Sequence, residues 1–93
     1  MGEDAATFVA ECFWPDVGES DLAELERRLA AVTAELHDRQ GPVRYLGSIL
    51  IREDEVVLCR FEGTADAVRK AAEQARLPFE RILETTATEG ERR

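Results

Sequence analysis

Two charged residues interrupt apolar segments of the sequence and are the first candidates for chemistry. Glu11 lies within segment 7–14 and Arg60 within segment 55–62, and aromatic and aliphatic residues surround both. A carboxylate in apolar surroundings can act as a general acid or base, and an arginine can hold an anionic substrate oxygen. We favour the structural alternative, a cross-strand ion pair between the two, because a buried charge needs a partner.

Three further residues carry side chains that can bind metals. Cys12 and Cys59 fall on the same face of two predicted strands and could supply a pair of thiolates, but the chain has no CxxC spacing. Buried cysteine mostly packs as a small apolar residue, which is the interpretation we favour. His37 is the only histidine and falls near the end of a predicted helix, where we expect a surface position. A site with several histidines would therefore need two protomers.

The charge balance and the missing motifs exclude several functions. The net charge is −8 and the basic residues form no cluster, so we expect neither nucleic acid nor an anionic membrane as a partner. No glycine-rich phosphate loop is present, so we expect no nucleotide cofactor. The first residues lack the basic start and apolar run of a signal peptide. Two cysteines make no disulfide framework, so we expect a cytoplasmic protein with reduced thiols.

The periodicity of the sequence predicts six elements in the order β-α-β-β-α-β. The predicted strands are 7–14, 43–51, 55–62 and 79–87. One helix starts at a Ser20 cap and ends by Gly41–Pro42, and the other runs from a Thr64 cap to Pro78. This order is typical of the ferredoxin-like α+β sandwich, a four-stranded antiparallel sheet with two helices on one face. We expect a domain over 7–87 between flexible ends, 1–6 and 88–93. We place the first and third strands side by side in the centre and interpret the helical connection as favouring parallel pairing of these two.

Alternation along the central strands divides them into two faces. The first face should cover the core and contains Phe8, Ala10, Cys12, Val57, Cys59 and Phe61. The second face contains Val9, Glu11, Phe13, Val56, Leu58 and Arg60. The second face is too apolar for ordinary contact with water, and such patches mark contact surfaces. We therefore predict a homodimer that meets through the second face, and the similarity to ferredoxin-like dimers implies that the two faces enclose a small cavity.

Aromatic and small residues near the strand ends are candidates for lining a ligand pocket. Trp14 and Tyr45 suit this role, or are core residues with their polar tips in water. Gly47 in the second strand either lets a ligand approach or marks a bulge. The predicted ligand-binding residues are Glu11, Phe13, Trp14, Tyr45, Ser48 and Arg60.

Four segments carry a family resemblance: Glu-Cys-Phe-Trp-Pro-Asp-Val at 11–17, Arg-Tyr-Leu-Gly-Ser-Ile-Leu at 44–50, residues 55–63 and residues 76–82. Together they resemble a small ferredoxin-like family, common in actinobacteria, formerly of unknown function and later labelled nickel-binding. The resemblance implies a dimer and a divalent metal, with Glu11, Ser48 and Cys59 matching the family pattern. Gly47 stands where many relatives carry a histidine, and imidazole is a leading nickel ligand.

Three functions follow from these observations. The first is a binding protein that holds nickel, another divalent metal or a small molecule at the second face or the dimer seam. The second is a cofactor-free enzyme, an isomerase, cyclase or monooxygenase of the dimeric α+β barrel type, with Glu11 as base and Arg60 as anion anchor. The third is a protein-interaction module whose apolar face binds another protein. The metal candidates are Cys59, Glu11 and His37.

Overall fold

The computed structural model describes residues 6–39 and 41–86, in which the six predicted elements occur in the predicted order. The strands and helices are β1 (Ala6–Phe13), α1 (Glu19–His37), β2 (Val43–Ile51), β3 (Val56–Gly63), α2 (Ala65–Gln74) and β4 (Phe79–Thr85). One sheet contains the strands in the order β2-β3-β1-β4. This is the ferredoxin-like α+β fold. The predicted flexible ends lie outside the described residues except for Ala6, which begins β1.

All pairs of neighbouring strands are antiparallel, so the predicted parallel pairing of β1 with β3 is wrong. Phe8 lies opposite Phe61, and Ala10 lies opposite Cys59, in an antiparallel register. The reason is topological. Helix α1 returns the chain so that β2 runs in the same direction as β1, and the tight turn after β2 reverses it. Strand β3 then lies between β2 and β1 and is antiparallel to both.

Helix α1 forms because a stripe of leucines faces the sheet. Leu25 and Leu29 are fully buried and Leu36 nearly so. The helix begins at Glu19 rather than at the predicted Ser20 cap, since the Gly18 backbone N–H donates to the Asp21 carboxylate over 2.9 Å. A carboxylate in the first turn satisfies an N–H that would otherwise lack a partner, and it also suits the helix dipole.

Helix α2 lies close on the sheet because its inner face is made of small residues. The Thr64 hydroxyl accepts a hydrogen bond from the Ala67 N–H over 3.2 Å, which confirms the predicted cap. The helix stops before Pro78, because Arg76 adopts a left-handed conformation with φ of 59°. Its buried residues are Ala67, Val68, Ala71 and Ala72. Within residues 6–39 and 41–86, neither helix combines the length and apolarity needed to cross a bilayer.

The core lies between the helices and one face of the sheet. The predicted core face is confirmed, since its six strand residues are all buried and belong to one apolar cluster with the helix residues. Both cysteines are part of that cluster. No helix of the described residues covers the opposite face, and that face positions the candidate site.

Candidate functional site on the open sheet face

The sheet face turned away from the helices, called the open face below, carries an unusual concentration of exposed apolar side chains. Four large apolar side chains of the described residues are exposed: Phe13 (52%), Ile49 (48%), Leu83 (40%) and Ile51 (36%). The strand register places all four on the open face, because they lie opposite Val56, Leu58 or Val9. Exposed apolar patches on a protein surface commonly mark interaction sites.

Glu11 forms an ion pair on the open face, but its partner is Arg81. The Arg81 Nε donates to the Glu11 carboxylate over 2.6 Å. The predicted pair between Glu11 and Arg60 is wrong, because the register puts Leu58 opposite Glu11 and Val9 opposite Arg60. Arg81 is not among the site residues that the sequence predicts. Alternation along the last predicted strand would have placed it on the same face as Leu83, although the register itself had no sequence signal.

Arg60 is held at a bulge in the edge strand β2. The pairing of β2 with β3 shifts between Tyr45 and Gly47, so Leu46 is the extra residue, which agrees with the bulge interpretation of Gly47. One Nη of Arg60 donates to the Leu46 carbonyl oxygen over 3.1 Å. No carboxylate of the described residues lies within ion-pair distance of Arg60.

The six predicted ligand-binding residues do not come together. Glu11, Phe13 and Arg60 share the open face, whereas Tyr45 and Ser48 point to the helix side at the β2 edge. Trp14 follows β1 and packs partly against the core. It lines a small cavity of about 90 Å³ that includes Val17, Leu50 and Arg52. Three of the six predicted ligand-binding residues therefore share one surface.

On the helix side of the sheet, the Tyr45 and Ser48 side chains form a chain of hydrogen bonds that reaches the buried cysteine pair. The Tyr45 and Ser48 hydroxyls hydrogen-bond to each other, and Ser48 donates to the Cys59 sulfur over 3.3 Å. The neighbouring Cys59 thiol and burial raise the pKa of Cys12 far above its usual range. The neighbouring Cys12 thiol and the hydrogen bond from Ser48 lower the pKa of Cys59. Both sulfur atoms are enclosed by the core, as expected for packing cysteines.

The three predicted metal ligands do not fit a single ion within one protomer. Glu11 lies on the open face, and the sheet separates it from the buried Cys59. His37 lies at the end of α1, where its Nδ1 accepts from the Val43 N–H over 3.3 Å. Among residues 6–39 and 41–86, no group of three or more His, Cys, Asp or Glu side chains is arranged to hold a metal ion.

Tyr45 gives a direct optical test of the polar chain, because it is the only tyrosine of the sequence. Burial raises the pKa of Tyr45 from 10.0 to about 12, although its bond to Ser48 acts in the opposite direction. Because the pKa of Tyr45 is higher in the folded state, its full contribution to the free energy of unfolding is present below pH 10. This contribution is lost as the pH rises through about 12. We expect absorbance at 295 nm to titrate near pH 12 in native protein and near pH 10 in urea. Coincident native and denatured midpoints would contradict this placement.

Comparison with known proteins supports the fold class and leaves the function open. No protein-family model matches the chain, and no curated protein matches it. The chain is a ferredoxin-like α+β protein. Among solved structures, it is similar to the crystal structure of SCO4226 from Streptomyces coelicolor A3(2), with a TM-score of 0.74 and 18% sequence identity. The match covers 90% of this chain and 100% of that one. At this identity the likeness is one of fold, shared with an actinobacterial protein.

Proposed function

We propose that the protein is a small cytoplasmic binding protein that dimerises through its open face and holds a small molecule between the two sheets. The observation that carries this proposal is that the four exposed large apolar side chains of the described residues all lie on one uncovered face. Burying such a face on a second copy removes apolar surface from water. A 93-residue chain also has a modest core, which a partner would supplement.

The size of the face suits a dimer. Four strands spaced about 4.8 Å apart, with about eight residues each rising about 3.3 Å, give a flat area of roughly 500 Å². Side-chain relief increases the accessible area beyond this value. Stable interfaces bury about 800 Å² on each partner. Coverage of the whole face by a second copy is therefore of the right order.

The charges of the face explain why a second copy can approach despite the net charge of −8. Among the described residues with a partner in the strand register, Glu11 and Glu62 are the acids on the open face, and each pairs with an arginine of the same face. Glu11 pairs with Arg81 over 2.6 Å, and Glu62 pairs with Arg44 over 3.0 Å. An isologous dimer brings identical patches together, so a face without free acids avoids like-charge repulsion.

The family resemblance also predicts nickel, and native mass spectrometry tests both parts of the proposal. Purified protein would be measured as isolated, after chelation and after addition of nickel. Because one protomer does not assemble Glu11, His37 and Cys59, we expect a dimer that retains no nickel in a whole-number ratio. A dimer that retains whole-number nickel would contradict this expectation and restore the metal function. A monomer at all concentrations would contradict the dimer and favour a different protein partner.

The enzymatic alternative uses the same face, since Glu11 and Arg60 both point to it. One carboxylate oxygen of Glu11 already accepts from Arg81, so a catalytic base would have to act through the other oxygen. Glu11→Gln separates the two functions. An enzyme would lose turnover and keep binding, whereas a binding protein has no turnover to lose.

A further inference from the structure

We propose that the ligand of the open face is a small organic carboxylate with an apolar body, and that Arg60 is its anchor. This inference rests on the proposed dimer and adds the chemical class of the ligand. It starts from the charge of the open face. Glu11 and Glu62 pair with Arg81 and Arg44, whereas Arg60 has no carboxylate within ion-pair distance among the described residues.

When a second copy covers the open face, the Arg60 guanidinium needs a negatively charged partner in place of water. Val9 lies opposite Arg60 on the neighbouring strand, and Leu58 precedes it by two positions on the same face. When a second copy excludes water from these apolar neighbours, an unpaired guanidinium becomes costly, and a buried charge needs a counter-charge. Glu11 and Glu62 of the second copy are already paired with Arg81 and Arg44 in the same way. The missing negative charge therefore belongs to the ligand.

The β2 bulge holds the Arg60 guanidinium in place for binding a carboxylate. Leu46 is displaced from the regular ladder, and its carbonyl accepts from one Nη of Arg60 over 3.1 Å. This bond fixes the guanidinium and leaves most of its five N–H donors unused. Bulges commonly redirect a side chain beside a functional site. A fixed planar guanidinium matches a carboxylate with two parallel hydrogen bonds.

Gly47 keeps the space beside the guanidinium free. It lies opposite Arg60, and its φ of 118° falls in the region that favours glycine. A Cβ at this position would stand 3.9 Å from an Arg60 nitrogen, so a longer side chain would compete with a ligand. One free positive charge per protomer matches a singly charged carboxylate better than a doubly charged phosphate.

The test compares an anion with a neutral molecule of the same shape. Octanoate and octan-1-ol would be titrated into ¹⁵N-labelled protein, and amide shifts would give the two dissociation constants. We expect the wild type to bind octanoate about tenfold more tightly or better, as hydrogen bonds to a charged group allow. Arg60→Gln should abolish this preference, and inorganic phosphate should not compete with octanoate.

Controls separate this inference from the dimer on which it rests. Arg27→Gln removes the same charge from the exposed side of α1 and should leave the preference unchanged. Arg60→Lys keeps the charge without the planar fork and should retain only part of it. The mass of each sample would be measured alongside. A dimeric Arg60→Gln variant that still prefers octanoate overturns the inference alone, whereas a monomeric wild type overturns the proposed function as well.

Discussion

Replacing Phe13 by glutamate should convert the proposed homodimer into monomers of 10.4 kDa. Phe13 has the largest exposed fraction of the four apolar side chains on the open face, 52%, so the protomer should tolerate the change. In the dimer the new carboxylate would be removed from water against apolar side chains, and the two-fold symmetry would introduce it twice. A cost of about 4 kcal/mol would weaken association by roughly a thousandfold. Light scattering after gel filtration measures the mass.

The control for this experiment adds the same charge to the other side of the molecule. Ala23→Glu places a glutamate at an exposed position of α1 and should leave the dimer intact. Ile51→Glu, on the same row of the sheet as Phe13, should repeat the dissociation. Circular dichroism would confirm that each variant is folded. A Phe13→Glu variant that stays dimeric while Ala23→Glu dissociates would place the interface on the helices and refute the proposal.

Replacing Gly63 by alanine should destabilise the protomer more than any surface change. A Cβ at Gly63 would lie 2.3 Å from the Pro42 carbonyl oxygen and 2.9 Å from the Val43 Cα, both of which are backbone atoms. Pro42 cannot retreat freely, since the same carbonyl accepts from the Thr64 N–H over 3.2 Å. We expect the free energy of unfolding to fall by about 3 kcal/mol. Urea denaturation would show this as a lower midpoint at constant slope.

A matched glycine shows that this loss comes from the close approach of backbone. The Cβ of a Gly18→Ala variant would meet only the Asp21 carboxylate, at 3.6 Å, and Gly18 has an ordinary negative φ. The loss there should stay below about 1 kcal/mol, because glycine is a moderate helix cap. Equal losses at the two positions would show that β2 and β3 are further apart at Gly63 than in the structure.

Most of the fold could be predicted because its determinants are local. The leucine stripe of α1, the small residues of α2 and the alternation along β1 and β3 each specify an element and the face that it buries. The limits of β2 were predicted to the residue, since Pro42 and the turn after Ile51 mark both ends. The direction of β1 relative to β3 was missed because it depends on the whole chain path. The start of α1 was missed because the Asp21 side chain reaches back to Gly18.

The candidate site could be predicted only in part. Period-two reasoning identified the apolar second face and placed Glu11 and Arg60 on it, where the structure has them. Which arginine pairs with Glu11 depends on the register between β1 and β4, two strands far apart in sequence that have no turn to fix their alignment. The contact between Arg60 and Leu46 depends on a bulge, which Gly47 suggested without showing where the freed carbonyl points.

The most direct test of the central claim is an isotope-filtered nuclear Overhauser experiment on a mixture of ¹³C-labelled and unlabelled protein. Only contacts between two different chains give signals in this experiment, so it identifies the surfaces that meet. The account predicts intermolecular signals from methyl groups of Ile49, Leu58 and Leu83, all on the open face. Intermolecular signals confined to α1 and α2, or none in a sample of monomeric mass, would contradict it.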